Sequence, residues 1–306
     1  MGDKMNYIIG VDGGGTKTLA LLADLDGHVI ARGVSGPSNH NAVGFERACA
    51  ALESAINVAR RDHPGEISVL CLGLAGAGRQ EDMEQFQFWA VEKFPSTEVK
   101  VVSDAEILLA AGSPTGPVLA IICGTGSTVY GRTTMGEIIR AGGWGYLFGD
   151  EGSGYAIGVA ALRAVMQAYD GRGAPTLLEE LVLDRRGLSS PSELVRSIYG
   201  AESPRLEVAS LADLVEQAAG RDDRVAIAIL EKAAWELART IAVVYPKLGT
   251  SVSQLVITGR TILHGIYLKV AFHRACETLG LTFTVIRYVS EPAEGAVQLA
   301  WKMLSG

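Results

Sequence analysis

The segment IIGVDGGGTKT, Ile8–Thr18, combines a short apolar run with an acidic residue and three consecutive glycines. The apolar part predicts a buried strand that ends at the glycines. Beyond them a second apolar run, Leu19–Leu25, is followed by Asp26-Gly27, a dipeptide typical of hairpin turns, and by a third strand, His28–Val34. In a dinucleotide-binding unit the glycines lead from a strand into a helix instead. The segment therefore predicts a different start, in which one strand turns back into another.

The order of elements predicts a duplicated α/β chain. After the three opening strands, helices and strands alternate up to residue 111, which implies a mixed sheet with helices on both faces. The pattern then restarts, because a strand at 118–122 ends in a second glycine turn and two further strands follow. We interpret the restart as an internal duplication with its boundary near residues 113–117. The predicted domains are residues 1–115, completed by the C-terminal helix at 293–306, and a larger helix-rich domain at 116–292.

The composition excludes several classes of protein. Of 306 residues, 48% are hydrophobic and 20% are charged, and the net charge is −7, which is typical of a globular protein and argues against general nucleic-acid binding. No segment approaches the roughly 18 apolar residues of a membrane helix, and the N-terminus does not resemble a signal peptide, so we expect a cytoplasmic protein. The four cysteines are far apart and form no CxxC pair, which predicts reduced, buried thiols.

Two glycine turns predict a phosphate-binding site. In Asp12-Gly13-Gly14-Gly15-Thr16-Lys17 the glycines would let a polyphosphate approach the backbone N–H groups, while Thr16 and Lys17 can meet its charge. Asp12 at the strand end can hold a hydrated Mg²⁺. The second turn, Gly124-Thr125-Gly126-Ser127, repeats this pattern at the matching position of the second half. Either turn alone is equally well explained as an ordinary hairpin, but the pair predicts a two-sided clamp on the phosphate chain of a nucleotide.

Asp104 is the candidate catalytic base. It follows Ser103 at the end of a predicted strand and the start of a predicted helix, between the two glycine turns in sequence. Phosphoryl transfer to a hydroxyl needs a carboxylate that can receive the hydroxyl proton. The alternative interpretation of Asp104 is an ordinary helix N-cap.

Three further segments predict binding of a small polar ligand. Residues 142–154, GGWGYLFGDEGSG, contain six glycines, an aromatic residue and adjacent carboxylates, which suits a sugar with its apolar ring face and its hydroxyls. Within it, Trp144 has the alternative of a core aromatic beneath the loop, and Glu151 that of a cap on the next helix. Ser38–Asn41 offers amide side chains, or is a plain polar turn. Gly259-Arg260 ends a strand where a glycine would let a base or ribose lie against the backbone.

Together these motifs resemble a known group of proteins. The segments are VDGGGTKT (11–18), SDAEILLAAG (103–112), ICGTGS (122–127), GGWGYLFGDEGSGYAIG (142–158), VITGR (256–260) and SEPAEGAVQLA (290–300). They are similar to the sugar kinase/actin/Hsp70 ATPase superfamily and, more narrowly, to the BadF/BadG/BcrA/BcrD ATPase family and its N-acetylglucosamine kinase branch. GGWG followed by GDEGS is the most specific part. The resemblance implies two ribonuclease-H-like (actin-like ATPase) domains with mixed sheets flanked by helices, and a ligand cleft between them.

The resemblance also implies an activity and a set of site residues. It implies a homodimeric kinase that uses ATP and Mg²⁺ to phosphorylate the 6-hydroxyl of N-acetylglucosamine or a related amino sugar or hexose, with Asp104 as base. Thr16 and Thr125 would contact the nucleotide, and Ala209 would lie near the adenosine. Arg260 departs from many relatives, which carry a second glycine there. The residues implied to line the sugar are Asn39, His40, Asp104, Gly143, Trp144, Gly145 and Asp150.

Other functions remain open on the sequence. Activators of redox enzymes, of the 2-hydroxyacyl-CoA dehydratase or benzoyl-CoA reductase type, share the family and bridge an iron–sulfur cluster with two cysteines from each subunit. Four cysteines permit this, but Cys71 and Cys123 are predicted inside strands. An actin-like or sugar-sensing binding module would keep the fold without turnover; the presence of both Asp12 and Asp104 favours catalysis. The sequence also leaves open N-acetylglucosamine, glucosamine, a muramic-acid sugar or glucose as the substrate, and a broad-specificity hexokinase or glucosamine kinase as the enzyme.

Overall fold

The computed structural model describes residues 5–249 and 254–305. The chain divides into two compact units. The N-terminal unit contains the chain up to Gly116 together with residues from Glu291 onward, and the C-terminal unit is Pro117–Ser290. Each unit contains one five-stranded sheet with helices packed on it. The mixed α/β sheets flanked by helices that the sequence predicts are confirmed.

The N-terminal unit contains the predicted strand–turn–strand start. Its strands are β1 (Asn6–Gly13), β2 (Thr18–Ala23), β3 (Val29–Ser35), β4 (Glu66–Leu74) and β5 (Glu98–Ser103). Its helices are α1 (His40–Val43), α2 (Phe45–Arg60), α3 (Gln80–Lys93), α4 (Asp104–Gly112) and the C-terminal helix (Ala293–Ser305). The sheet order is β3-β2-β1-β4-β5, with β1 antiparallel to β2 and parallel to β4. The glycine turn therefore lies at the carboxyl end of the central strand.

The central strand β1 is buried on both faces because helices cover both sides of the sheet. Successive side chains of a strand point to opposite faces. Ile9 packs with Leu52 of α2 in one core cluster, whereas Ile8 packs with Ile107 of α4 and Val297 of the C-terminal helix in another. This two-sided burial explains why the opening segment is a continuous apolar run.

The C-terminal unit repeats this arrangement. Its strands are β6 (Val118–Cys123), β7 (Ser127–Arg132), β8 (Ile138–Gly142), β9 (Gln254–Thr258) and β10 (Val285–Tyr288). The order is β10-β9-β6-β7-β8, with β6 antiparallel to β7 and parallel to β9. Each sheet thus has a central strand, a glycine turn and two antiparallel strands on one side, with parallel strands on the other. The second glycine turn occupies the same topological position as the first.

The sequence predicts helices in the C-terminal unit at 155–169, 176–183, 192–199, 210–219 and 224–244, and the described residues form more than these. The helices of this unit are α5 (Gly154–Tyr169), α6 (Leu178–Arg186), α7 (Glu193–Tyr199), α8 (Pro204–Ser210), α9 (Ala212–Ala219), α10 (Arg224–Val244), α11 (Arg260–His264) and α12 (Ile266–Thr278). A 3-10 turn at Tyr245–Leu248 follows α10.

Two segments of this unit differ from what the sequence indicates. Helices α8, α11 and α12 lie where the sequence shows no helical pattern. The charged stretch Asp184–Ser190 predicts a solvated connector, but α6 continues through Arg186. It ends at Gly187, whose left-handed backbone, with φ of 63°, lets its N–H donate to the carbonyl groups of the last helical turn.

The structure also bears on two expectations from the composition, that the cysteines are reduced and buried and that the chain has no membrane helix. All four cysteines are buried and free of disulfide bonds in the described chain, as predicted. Among residues 5–249 and 254–305, no helix combines the length and the apolar character needed to cross a membrane.

Candidate active site

The glycine turn after β1 is fixed by backbone hydrogen bonds to the segment that precedes α1. The Gly14 N–H donates to the Lys17 carbonyl at 3.0 Å. The Gly14 carbonyl accepts from the N–H groups of Ser38, at 3.0 Å, and Asn39, at 3.2 Å. Thr16 and Lys17 are exposed at the tip of the turn. The turn therefore holds a defined shape while presenting a hydroxyl and an ammonium group to solvent.

The glycines of this turn have different roles. A Cβ atom at Gly13 would lie 2.6 Å from Ser38 Oγ and 2.7 Å from Leu74 Cδ2, so packing inside the unit requires a glycine there. A Cβ atom at Gly15 would meet no atom of the described residues within 4 Å. The sequence predicts that all three glycines let a ligand approach the backbone. Gly13 is instead a packing glycine, and the open side of the turn is at Gly15.

Asp12 and Asp104 form a pair of carboxylates in the N-terminal unit. Asp12 is at the end of β1, and Asp104 is the first residue of α4. Burial, and then the nearby Asp104 carboxylate, raise the pKa of Asp12 from 3.8 to about 6, against a smaller lowering effect of Lys17. Two close carboxylates are a donor set that suits a hard divalent cation such as Mg²⁺, which would relieve their repulsion.

Ser103, and not Asp104, is the N-cap of α4. The Ser103 hydroxyl accepts from the Glu106 N–H at 3.3 Å and caps α4. Asp104 lies inside the first turn, where one carboxylate oxygen accepts from the Ala105 N–H at 2.9 Å. The side chain is half-buried rather than enclosed.

Asn39 and His40 form the start of α1. Asn39 Oδ1 accepts from the Asn41 N–H at 3.1 Å and caps this short helix. The His40 ring lies with Nε2 at 3.2 Å from Asp82 Oδ1, and its edge packs against Phe86. Its Nδ1 is buried and has no hydrogen-bond partner among the described residues. The ring is thus anchored to α3 and fixes the Asn39 turn.

In the C-terminal unit the second glycine turn is tied to two helix starts. The Gly124 N–H donates to the Gly126 carbonyl at 2.9 Å. The Gly124 carbonyl accepts from the Gly154 N–H at 2.8 Å and from the Thr261 hydroxyl at 2.9 Å. These contacts join the turn to α5 and α11. The Ser127 hydroxyl is also engaged, because it donates to the Glu151 carbonyl at 2.7 Å.

Asp150 is a buried carboxylate beside this turn. Its side chain is almost fully enclosed, at 4% exposure, and its backbone is left-handed, with φ of 59°. A Cβ atom at Gly126 would lie 2.8 Å from Asp150 Oδ2, so Gly126 admits the carboxylate. Arg205 of α8 donates to the same oxygen at 3.2 Å. A non-glycine residue in strained backbone with a buried charge is typical of a functional site.

The glycine-rich loop before Asp150 presents its aromatic residue to solvent. Gly142, Gly143 and Gly145 all have positive φ angles, which explains the density of glycines here. Trp144 is 69% exposed, and the Arg140 guanidinium lies 5.2 Å from its ring centroid. Arg140 also donates to the carbonyl groups of Gly142, at 3.1 Å, and Gly143. The alternative of a core aromatic is therefore wrong for Trp144.

The alternative role proposed for Glu151 is wrong too, because Ser153 caps α5. The Ser153 hydroxyl accepts from the Ala156 N–H at 3.2 Å. Glu151 is exposed and lies outside the helix. The Glu151 carboxylate is therefore not the N-cap of α5.

Of the residues predicted near the adenosine, Arg260 lines a cavity of the C-terminal unit, whereas Ala209 and Gly259 are not among the residues that line it. Gly259 has φ of 103°, and a Cβ atom there would lie 2.4 Å from the Cys123 backbone, so packing against β6 requires a glycine at this position. The Ala209 carbonyl lies 3.3 Å from the Cβ position of Gly154. Arg260 begins α11 and pairs with Asp213. Arg205 and Asp213 do not belong to any sequence motif, so the sequence did not indicate them as site residues.

This chain is similar in sequence to one family of ATPases and to sugar kinases. A family model described as the BadF/BadG/BcrA/BcrD ATPase family matches residues 9–300. The N-acetylmuramic acid/N-acetylglucosamine kinase of Clostridium acetobutylicum is 36% identical over 304 residues, which cover 97% of this chain and 98% of that protein. The N-acetyl-D-glucosamine kinase of Dictyostelium discoideum is 35% identical over 271 residues, which cover 83% and 85%.

Solved structures extend the comparison to the fold. A Chromobacterium violaceum protein provisionally assigned as an N-acetylglucosamine kinase superposes with a TM-score of 0.76 at 26% identity, covering 97% of this chain and 99% of that one. A ROK family glucokinase from Streptomyces griseus, solved with glucose and AMPPNP, superposes with a TM-score of 0.58 at 16% identity, covering 98% and 99%. The second comparison concerns the fold alone.

Proposed function

Because this chain belongs to the BadF/BadG/BcrA/BcrD ATPase family, we propose that it is an ATP-dependent sugar kinase. It transfers the γ-phosphate of ATP to the 6-hydroxyl of N-acetylglucosamine or a related amino sugar. The observation that carries the proposal is the pair of carboxylates, Asp12 and Asp104, in the unit that bears the open glycine turn. Two relatives named as kinases of N-acetylglucosamine, each aligned over more than four fifths of the chain, support the choice of substrate.

Asp104 accepts the proton of the sugar hydroxyl as that oxygen attacks the γ-phosphorus. A base needs only to lie within hydrogen-bond reach of the proton that it removes. Asp104 lies half-buried in the first turn of α4, and Ser103 supplies the cap of that helix.

The first glycine turn and Asp12 bind the phosphates. The N–H groups of the turn, the Thr16 hydroxyl and the Lys17 ammonium group contact the phosphate oxygens, and Thr125 does so from the second turn. Asp12 would hold Mg²⁺. Bound there, Mg²⁺ would neutralise charge on the phosphates during transfer.

The sugar contacts come from polar groups and one aromatic face. Asp150 accepts hydrogen bonds from sugar hydroxyls, as do Asn39 and His40 of the α1 turn. Trp144 offers an exposed apolar face beside the backbone of Gly143 and Gly145. Support for Asp150 comes from its burial and strained backbone, which a purely structural residue would not need.

The proposal is tested by a coupled ADP-release assay. The panel contains N-acetylglucosamine, N-acetylmuramic acid, glucosamine and glucose, each with ATP and Mg²⁺, and mass spectrometry locates the phosphate on the product. We expect turnover with N-acetylglucosamine at the 6-position. An absence of turnover with every sugar of the panel, in a protein that is folded, would overturn the proposal.

The redox-activator alternative is disfavoured by the cysteines. Cluster ligands are thiolates, whereas burial raises the pKa of both Cys71 and Cys123 to about 12. We expect anaerobically purified protein to be colourless. A brown protein with broad absorbance in the visible range would favour the activator.

The resemblance further implies a cytoplasmic homodimer, and we include this in the proposal. Light scattering on a sizing column measures the mass in solution directly. We expect about twice the 32.3 kDa of one chain.

Gly13 and Gly15 form a matched pair for the first turn. We expect Gly13→Ala to lower the free energy of unfolding by about 1–3 kcal/mol, because the added methyl overlaps Ser38 and Leu74. Gly15→Ala meets no described atom, so it should unfold like the wild type but raise the KM for ATP. Thermal unfolding and ATP titrations separate the two. Equal loss of stability in both variants would contradict this assignment.

Arg205 is expected to position Asp150. Arg205→Gln removes the ion-pair partner of a buried carboxylate, so we expect the KM for the sugar to rise about tenfold while the KM for ATP stays unchanged. Arg205→Lys should recover part of the loss. Arg186→Gln is the control, because Arg186 pairs with Glu207 of the same helix α8 and does not contact Asp150. An equal effect of both glutamine variants would mean that only α8 had loosened.

A further inference from the structure

A cavity of about 310 Å³ lies in the C-terminal unit among α5, α9, α10, α11 and α12. Its apolar lining is Ile157, Leu230 and Leu268. Its polar lining is Asp213, Glu216, Arg260, Thr261 and His264. An apolar floor with a few polar groups at the rim is typical of a small-molecule site, and the volume is at the small end of the usual range for ligand pockets.

The cavity adjoins the second glycine turn. Thr261 lines the cavity, and its hydroxyl donates to the Gly124 carbonyl at 2.9 Å. The Cβ position of Gly124 lies 3.8 Å from the Arg260 backbone nitrogen. A ligand with phosphates at the turn therefore has its remaining part next to this cavity, which is the arrangement of a nucleotide.

The acidic groups of the lining are not equivalent. Both oxygens of Glu216 are engaged by the start of α12, since they accept from the N–H groups of Tyr267 and Leu268 at 2.9 Å each. Glu216 is thus a structural cap. Asp213 instead holds Arg260, with 2.9 Å between Oδ2 and Nη2.

The Arg260–Asp213 pair has no evident structural purpose. The Arg260 side chain is 76% exposed, and an exposed ion pair contributes little to the stability of a fold. The pair places the planar guanidinium among the residues that line the cavity. Planar guanidinium groups stack on aromatic rings.

We propose that Arg260, held in place by Asp213, forms the outer wall of the base site and stacks on the base of the bound nucleotide. The identity of the ligand as a nucleotide rests on the proposed function. Stacking uses the face of a base, so it accepts any base, and a purine offers more area than a pyrimidine. Arg260 therefore sets a preference for purine over pyrimidine nucleotides.

Calorimetric titration with ADP, GDP and CDP tests this without any sugar. We expect the wild type to bind ADP and GDP more tightly than CDP. Arg260→Ala should weaken ADP binding about tenfold and weaken CDP binding much less. Arg260→Lys keeps the positive charge but lacks the planar guanidinium, so its ADP affinity should resemble that of the alanine variant. The ADP affinity of Asp213→Asn should lie between those of the wild type and Arg260→Ala. Arg172→Ala removes an exposed ion pair with Asp170 in the same unit and should bind like the wild type.

The outcomes separate this inference from the kinase proposal. Unchanged ADP affinity in Arg260→Ala and Arg260→Lys, or a wild type that binds CDP as tightly as ADP, would overturn it. Should Arg260→Ala fail to fold, the lysine variant carries the test. Purine binding that depends on Arg260, in a protein that phosphorylates no sugar of the panel, would support this inference and reject only the sugar kinase.

Discussion

Replacement of Asp104 by asparagine is expected to lower kcat by roughly 100- to 10,000-fold, the usual contribution of a general base. Asparagine keeps the size of the side chain and its place in α4, but it cannot accept the hydroxyl proton of the sugar. We expect ADP binding to stay close to that of the wild type, because in the proposed site the glycine turns, and not Asp104, hold the phosphates. Steady-state turnover and calorimetric ADP binding, measured on the same preparations, check both parts.

Ser103→Ala is the matched control for Asp104. Ser103 caps the same helix, and loss of such a cap costs about 1 kcal/mol of stability. This variant should unfold at a lower temperature while keeping wild-type turnover. Wild-type turnover in Asp104→Asn would show that the base lies elsewhere.

The second large effect concerns Asp12 and the pH dependence of stability. The pKa of this carboxyl is about 6 in the folded chain, against an ordinary value of 3.8 for an aspartate side chain. Since the folded value is the higher one, the contribution of Asp12 to stability is fully present below about pH 4 and is lost as pH rises towards 6. Asp12→Asn should therefore stabilise the ligand-free protein by up to about 3 kcal/mol at pH 7 and by nothing near pH 3.

Denaturant unfolding of the wild type and Asp12→Asn between pH 3 and pH 8 measures this difference. Asp62→Asn changes an exposed aspartate of the same unit and should give no such trend. With ADP present, Mg²⁺ should stabilise the wild type more than Asp12→Asn, because the asparagine variant lacks the carboxylate that faces the ion. Parallel pH curves for the wild type and Asp12→Asn would refute the raised pKa.

The longer elements were predictable where local chemistry marks them. Helix α10 has the predicted bounds, and it begins where the Asp223 side chain accepts from the Ala226 N–H at 2.8 Å. The short helices α8 and α11 have too few turns to show a periodicity. In α12 the apolar contrast is blurred, because Ile266, Tyr267 and Val270 are exposed on the face opposite the core.

Some residues of the candidate site could be predicted from the sequence, and others could not. The glycine turns and Asp104 could be predicted because each follows a strand end and because the glycine turn occurs twice, at matching positions of the two halves. Arg205 and Arg260 gained a role only from partners far away in sequence. Arg205 is 55 residues from Asp150, and Arg260 is 47 residues from Asp213. No local pattern encodes such a pairing.

The sequence by itself determined the duplicated strand–turn–strand plan, the positions of both glycine turns, the carboxylates at the strand ends and the family. These features depend on neighbouring residues, whose periodicity and turn chemistry are visible along the chain. Only the tertiary structure decided which glycines serve packing, as at Gly13 and Gly259, and which leave open space, as at Gly15. It also decided the raised pKa of Asp12, because burial and the approach of Asp104 arise from segments that meet only when the sheet forms.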